Sequence, residues 1–219
     1  MAAARASVPG QEAMLARAAR LREAGAVRVG WKVGHGIEEA GGRLVVGALT
    51  SATILGDGAT YAAGHPAALR AETELAVWLA ADVPGDADAQ TARRAIAGVG
   101  VALELVDVAR PPEASLERIV AAGVFHRAAV LGPCAAPLGG ALGPATLRVG
   151  GRVHDADEPL PDAAGIVLAV AGALAAAGER LEGGDVVLTG SVVHVPVGVG
   201  AEVVAGIGGL GRVRATIGA

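Results

Sequence analysis

Glycine punctuates this chain at a density that favours short strands joined by tight turns. Of 219 residues 34 are Gly, several of them paired at the ends of apolar runs, as in Gly41-Gly42, Gly150-Gly151, Gly183-Gly184 and Gly208-Gly209. Glycine reaches left-handed backbone without steric cost and weakens element interiors, so it marks where a strand stops and the chain reverses. The runs between the glycines are built from Val, Leu, Ile and Ala, because aromatic residues amount to only 2%. Such runs suit pleated, packed strands, and the expectation is an α+β, β-rich fold. At 53% hydrophobic and 18% charged residues, the chain carries enough apolar surface for a packed core and is not a disordered one.

The pattern along the chain supports this reading. Leu15, Ala18, Ala19 and Arg22 recur at helical spacing, which predicts an N-terminal helical segment within residues 1–26, followed by a single domain over 27–219. Residues 27–33 (VRVGWKV) alternate like a strand and run into the Gly34-His35-Gly36 loop, and 44–49 form the next strand. Strands are expected at 71–80 (AETELAVWLA), 99–108 (VGVALELVDV), 128–131, 145–153 and 186–189, with two more within 202–217. Helices are expected at 90–97, at 115–122 capped by Ser115, and from Asp162 through Ala177.

Several functional classes are disfavoured. A net charge of -4 with both signs interspersed offers no basic stripe for phosphates, and the few aromatics give bases nothing to stack on, so no nucleic-acid partner is expected. The single Cys134 cannot form an internal disulfide. The longest apolar stretch, 163–177, contains Gly165 and Gly172 and is shorter than the ~18 residues of a membrane span. The N-terminus lacks the apolar block of a secretory signal, so the expected location is cytoplasmic, with no membrane association.

The chemistry is concentrated in acids that interrupt apolar strands. Glu72 and Glu74 stand two apart, so they share one face of their strand with origins about 6.5 to 7 Å apart. Two carboxylates in a buried strand repel and are costly unless a cation or a proton neutralises them. Glu104 adds a third acid from another apolar strand. Three oxygen donors without Cys suit Mg²⁺ or Mn²⁺ better than zinc. Salt bridges to Arg93, Arg94 or Arg110 are the competing explanation, and the pattern alone leaves both open. Lys32 sits at a strand-to-loop junction, and His35 and Glu38 form an H-x-x-E spacing that meets on one side of a helical turn. Among the other histidines, His126 reads either as a pocket residue or as part of a core hydrogen bond. His194 reads as a substrate contact or a plain strand residue, His65 as loop and His154 as turn surface.

Five segments occur in an order that resembles the fumarylacetoacetate hydrolase superfamily: GWKVG (30–34), AETELAVWLAADV (71–83), ALELVD (102–107), GDVVLTGS (184–191) and GGLGRV (208–213). Within it the chain is most similar to the 2-keto-4-pentenoate hydratase branch, which includes 2-oxo acid decarboxylases. The resemblance implies a roll of twisted strands with flanking helices, assembled as a homo-oligomer, a dimer or larger. It further implies that Glu72, Glu74 and Glu104 bind Mg²⁺ or Mn²⁺, making 27–219 a metal-binding catalytic domain. Lys32 corresponds to a lysine beside the metal, and Thr189, Gly190 and Ser191 to a segment that holds the substrate carboxylate. His35 and Glu38 match in spacing a pair that activates water or a substrate proton in the hydrolase and decarboxylase branches.

The activity implied is that of a metal-dependent lyase, a hydratase of a small 2-hydroxydienoate or 2-oxo acid in aromatic catabolism, with an enolate stabilised at the metal. Decarboxylation and carbon-carbon hydrolysis share that enolate and stay open. So does a noncatalytic 2-oxo acid binding or partner subunit, because AAGVFHRAAVLG (121–132) stands where the hydratases carry an Asp-Asn pair.

Overall fold

The computed structural model describes residues 7–34, 37–64, 68–109, 115–156 and 159–219. Helix α1 (Gln11–Glu23) leads into strands β1 (Arg28–Gly34), β2 (Val45–Thr50), β3 (Ile54–Leu55), β4 (Thr60–Ala62) and β5 (Leu69–Leu79). Helix α2 (Ala89–Ala95) precedes β6 (Ile96–Asp107), and α3 (Leu116–Ala121) precedes β7 (His126–Leu131). The hairpin β8 (Ala145–Val149) and β9 (Arg152–Asp155), helix α4 (Ala163–Ala176), and strands β10 (Val186–Pro196), β11 (Glu202–Ile207) and β12 (Gly211–Gly218) complete the chain.

The strands form a seven-stranded sheet in the order β2-β1-β10-β5-β6-β7-β3 and a five-stranded sheet in the order β4-β12-β11-β8-β9. The outer strands β2 and β3 of the first sheet are joined by one 3-10 turn, Ser51–Thr53. A connection that short between opposite edges requires the sheet to roll up on itself. Leu49, Ala76, Ala102, Ala129, Val186 and Leu188 fill the inside of the roll as one buried cluster. Small residues make that curvature possible: a Cβ on Gly100 would lie 2.2 Å from the Pro133 carbonyl oxygen and 2.9 Å from the Trp78 ring.

The central strands β5 and β6 are buried on both faces, which is why they read as continuous apolar runs rather than alternating ones. One face of β5, with Ala71, Leu75 and Val77, belongs to the main core against the five-stranded sheet, and Thr73 Oγ1 donates to the Thr146 carbonyl across that interface at 2.9 Å. The alternate positions, Glu72, Glu74 and Ala76, therefore belong to the inner side of the roll.

Ser115 and Asp162 cap their helices as expected, and Asp88 adds a third cap. Asp88, Ser115 and Asp162 each accept a backbone N–H from the first turn of α2, α3 and α4. Helix α1 packs on α3 and β2, with Met14 buried and Arg17 donating to the Ala122 carbonyl at 2.8 Å. No helix among the described residues is long and apolar enough to cross a membrane.

The structure corrects some element boundaries. The expected strand 145–153 is a hairpin, because Gly150 and Gly151 take φ of 53° and 88° and reverse the chain. The strand expected at 186–189 runs on to Pro196, because Gly190 makes a bulge rather than an end. Strands β3 and β4, of two and three residues, are too short to leave a periodic signal.

Candidate metal centre

Antiparallel pairing of β5 with β6 sets Glu72 directly opposite Glu104 and Glu74 opposite Ala102. Period-two alternation keeps all three acids on the inner face of the roll, and their relative exposures are only 8%, 0% and 0% for Glu72, Glu74 and Glu104. Each supplies a carboxylate oxygen within 4.8 Å of those from the other two.

One oxygen of each carboxylate is held by an N–H group. The Gly190 amide donates to Glu74 Oε2 at 2.8 Å. Lys32 Nζ and His126 Nδ1 both reach Glu104 Oε1, at 2.9 and 2.6 Å. His194 Nδ1 lies 2.5 Å from Glu72 Oε1. The second oxygens of Glu74 and Glu104, Oε1 and Oε2 respectively, are buried without a hydrogen-bond partner among the described residues. Buried carboxylate oxygens without partners are expensive, and a divalent cation among them satisfies both at once. The donor set is all oxygen, which fits Mg²⁺ or Mn²⁺. Two of the competing salt bridges do not form, since Arg93 and Arg94 are exposed on α2 and pair with none of the three acids; Arg110 lies outside the described residues.

The bulge in β10 has a direct role in this arrangement. The register slips on both sides of Ser191, and Gly190 sits at φ 96°, which frees its amide from the ladder to meet Glu74. After the bulge Ser191 lies opposite Glu74 and His194 opposite Glu72. Lys32 comes from β1, next to Leu188 of β10 and Gly47 of β2. It is 3% exposed, and its Nζ also donates to the Val124 carbonyl at 3.2 Å. Val124 and Phe125 adopt φ of 59° and 65°, a left-handed conformation that is costly for a β-branched residue such as Val124 and is held here by the packing around it.

The charges are strongly coupled. Burial works against a charged Lys32, but Glu104, Glu74 and Glu72 outweigh it and raise the ammonium's pKa above the ordinary value, so Lys32 stays charged. Burial, then the negative Glu104, push the Glu74 carboxyl well above the usual range. Burial also opposes ionisation of Glu104, yet Lys32 and the His126 hydrogen bond prevail and hold it down to about 2. Without an ion, a proton is therefore taken up more readily by Glu74 than by Glu104.

A cleft of about 780 Å³ opens beside the acids. Its walls include Lys32, Glu72, Ser191 and His194, an apolar side formed by Ile37, Val106, Val124 and Phe125, and a rim with Arg70, His154 and Asp155. The structure thus brings Lys32, Glu72, Glu74, Glu104, Gly190 and Ser191 together. Ser191 lines the cleft with its hydroxyl donating to the Val193 carbonyl, while buried Thr189 donates to the Leu75 carbonyl. Glu38 is exposed at the start of the 3-10 turn Glu38–Ala40 and is not part of the cleft wall; His35 and His65 lie outside the described residues. His154, expected on turn surface, lines the cleft instead. Arg70, Thr53 and the firm attachments of His126 and His194 were not singled out by spacing. Arg70 had one signal, its place two residues before Glu72 on the same strand face.

Residues 27–218 match the family model described as the fumarylacetoacetate (FAA) hydrolase C-terminal domain. The chain belongs to the fumarylacetoacetate hydrolase family. The rolled sheet of that family is shared with solved structures at low identity. A 4-oxalocrotonate decarboxylase from Pseudomonas putida, complexed with magnesium and adipate, superposes with TM-score 0.80 at 20% identity, covering 93% of this chain and 83% of that one. Fumarylpyruvate hydrolase from Pseudomonas aeruginosa, with Mn²⁺ and pyruvate, gives 0.65 at 19%, covering 88% and 90%. A probable 2-hydroxyhepta-2,4-diene-1,7-dioate isomerase from Mycobacterium abscessus gives 0.66 at 20%, covering 89% and 75%. Among curated proteins none matches this sequence. The expected α+β fold and family are thereby borne out, while the similar structures bear the names of a decarboxylase, a hydrolase and an isomerase.

Proposed function

We propose that this protein is a divalent-metal-dependent lyase acting on a small 2-oxo acid or its 2-hydroxydienoate form. The observation that carries the reading is the triad of buried carboxylates with two partnerless oxygens, beside a charged lysine, at the base of a cleft. Glu72, Glu74 and Glu104 would hold Mg²⁺ or Mn²⁺. The bound ion supplies Lewis-acid stabilisation of negative charge developing on the substrate's 2-oxygen. Lys32, charged and buried, adds a fixed positive charge for the substrate carboxylate. Ser191, with the backbone around Gly190 and Thr189, would position that carboxylate end, and the apolar wall excludes bulk water from the carbon chain. His35 and Glu38 are the candidates for moving a proton.

Arg70 refines the substrate. It lies on the strand face of Glu72 and Glu74, lines the cleft, and its guanidinium has no ion-pair or hydrogen-bond partner among the described residues. Its register neighbours are Val106 and Pro196, neither of which can neutralise it. Two residues along a strand is about 6.5 to 7 Å, the reach of a short carbon chain from the metal ligands to a second carboxylate. The similar structures bear the names of dicarboxylates, which accords with a 2-oxo acid carrying an acid group at its far end.

Hydration of a conjugated double bond is the first reading of the reaction. Decarboxylation is the second, favoured by the apolar Ile37, Val106, Val124 and Phe125, which give a nucleophilic water little to hold it. The test is turnover of a panel of 2-oxo and 2-hydroxydienoic mono- and dicarboxylates, followed by ultraviolet absorbance with Mg²⁺ and with chelator. Metal-dependent loss of the dienoate chromophore with water uptake supports hydration, and release of CO₂ supports decarboxylation. Binding without turnover across the panel would replace both by the noncatalytic reading. A homo-oligomer belongs to the same proposal and is checked by sedimentation.

A further inference from the structure

We propose that His126 is a positioning residue for the ligand oxygen of Glu104, and that it ties this oxygen to the turn that closes the rolled sheet. The inference rests on the metal reading above. A glutamate side chain has three rotatable bonds, so burial by itself does not decide which of its oxygens faces an ion. At Glu104 the decision is made by two donors on a single oxygen, Lys32 Nζ at 2.9 Å and His126 Nδ1 at 2.6 Å, leaving Oε2 buried and partnerless.

His126 is itself held. It is 7% exposed, and its Nε2 lies 2.8 Å from Thr53 Oγ1. Thr53 ends the 3-10 turn that carries the chain from edge strand β2 to edge strand β3, and its hydroxyl also lies 3.2 Å from the Thr50 carbonyl. The hydrogen-bonded chain Thr53, His126, Glu104 thus runs from the closure of the roll to the acid triad, with the one Thr53 hydroxyl hydrogen serving either Nε2 or the Thr50 carbonyl. The residues just before His126 complete the device: Gly123, Val124 and Phe125 all have positive φ, at 91°, 59° and 65°. This left-handed turn sets the Val124 carbonyl on Lys32 and delivers His126 to Glu104, so one segment orients both donors.

The simpler account is a buried histidine that only satisfies its two nitrogens, which predicts a loss of stability and no selective effect on the ion. Asn and Gln separate the two accounts, because the Asn amide nitrogen takes the place of Nδ1 and reaches Glu104, whereas the Gln amide takes the place of Nε2 and reaches Thr53. The experiment is Mn²⁺ binding to the metal-free full chain, measured by calorimetry and by the paramagnetic resonance of free Mn²⁺, alongside melting of the metal-free proteins.

We expect His126→Gln to weaken Mn²⁺ binding by about 10- to 100-fold, the usual effect of losing a group that orients a ligand, and His126→Asn to recover most of that loss. Thr53→Val should weaken it less. Equal Mn²⁺ affinity in His126→Asn and His126→Gln, or wild-type affinity in His126→Gln, overturns the positioning role and leaves the metal reading standing. Absence of Mn²⁺ binding in the unsubstituted chain overturns the metal reading and this inference with it.

Discussion

At the scale of single residues, Glu74 and Glu104 are near neighbours with opposite fates. Burial and Glu104 make Glu74 harder to ionise, while Lys32 and His126 favour the ionised form of Glu104. The signs follow for the metal-free protein. Glu74 has a raised pKa, so its ionisation costs stability as pH climbs above the ordinary value of 4.5 and through the raised one. Glu104 has a depressed pKa, so the stability it contributes is complete above 4.5 and is lost as pH falls toward about 2. A metal ion needs Glu74 as a carboxylate, so binding should release a proton, and the Mn²⁺ binding enthalpy should vary with the ionisation heat of the buffer. An enthalpy independent of buffer would contradict this. Glu74→Gln should leave metal-free melting unchanged or raised, since a protonated carboxyl and an amide are alike in charge, yet weaken Mn²⁺ binding. Glu104→Ala strands the buried Lys32 ammonium and should cost about 3 to 5 kcal/mol in denaturant unfolding. For Arg70→Gln, KM should rise about tenfold or more for dicarboxylates and stay within twofold for monocarboxylates, since a charged hydrogen bond contributes about 1.5 to 3 kcal/mol.

At the scale of elements, the site depends on how β1, β10, β5 and β6 are keyed together. Gly30 is one such key: it has φ 149°, and a Cβ there would lie 2.0 Å from the Val186 carbonyl oxygen. Beside it Arg28 donates to Asp185 at 2.8 and 2.6 Å, stacks over Trp31 at 5.1 Å, and Trp31 Nε1 donates to Asp185 at 3.1 Å. These contacts set the β1–β10 register that brings Lys32 to the acids. Gly30→Ala should therefore destabilise by about 3 kcal/mol, or roughly 6 to 12 °C in melting temperature, with metal affinity falling as Lys32 shifts. Unchanged melting would show that β1 can move away without loss. The sequence made the Glu72 and Glu74 pair legible, because strand alternation is local and their strand is plainly apolar. It hid the bulge in β10, because Gly190 before Ser191 has the composition of a strand end. The hydrogen bond that its backbone N–H donates to Glu74 accounts for the strand continuing past it.

At the scale of the whole molecule, the roll places one side of the seven-stranded sheet inside, where acids from β5 and β6, a lysine from β1 and histidines from β7 and β10 meet. An ion bound there touches only the folded state, so it should stabilise the entire domain. At a free Mn²⁺ concentration one hundred times its Kd the gain is about 2.7 kcal/mol, or roughly 5 to 11 °C, reversible by chelator. A melting temperature indifferent to Mn²⁺ and chelator would count against a site formed by folding. Residues 1–26 were expected as a helical segment apart from the domain; within them α1 packs on α3 and β2 of the roll, and a chain beginning at residue 27 should expose the apolar surface that Met14 covers.

The sequence by itself determined where the longer strands begin and that Glu72 and Glu74 share a face, because alternation, glycine placement and apolar runs are local properties of the chain. The ordered segments also carried the family, and with it the third acid and Lys32. Only the tertiary structure decided that Glu72 faces Glu104 across two strands, which oxygens of Glu74 and Glu104 lack a partner among the described residues, and that His126, His194 and Arg70 belong to the site. Those facts depend on strand register and on the closing of the roll. Both are set by packing between residues far apart in the chain, and a slip of one residue would have turned every one of these side chains to the other face.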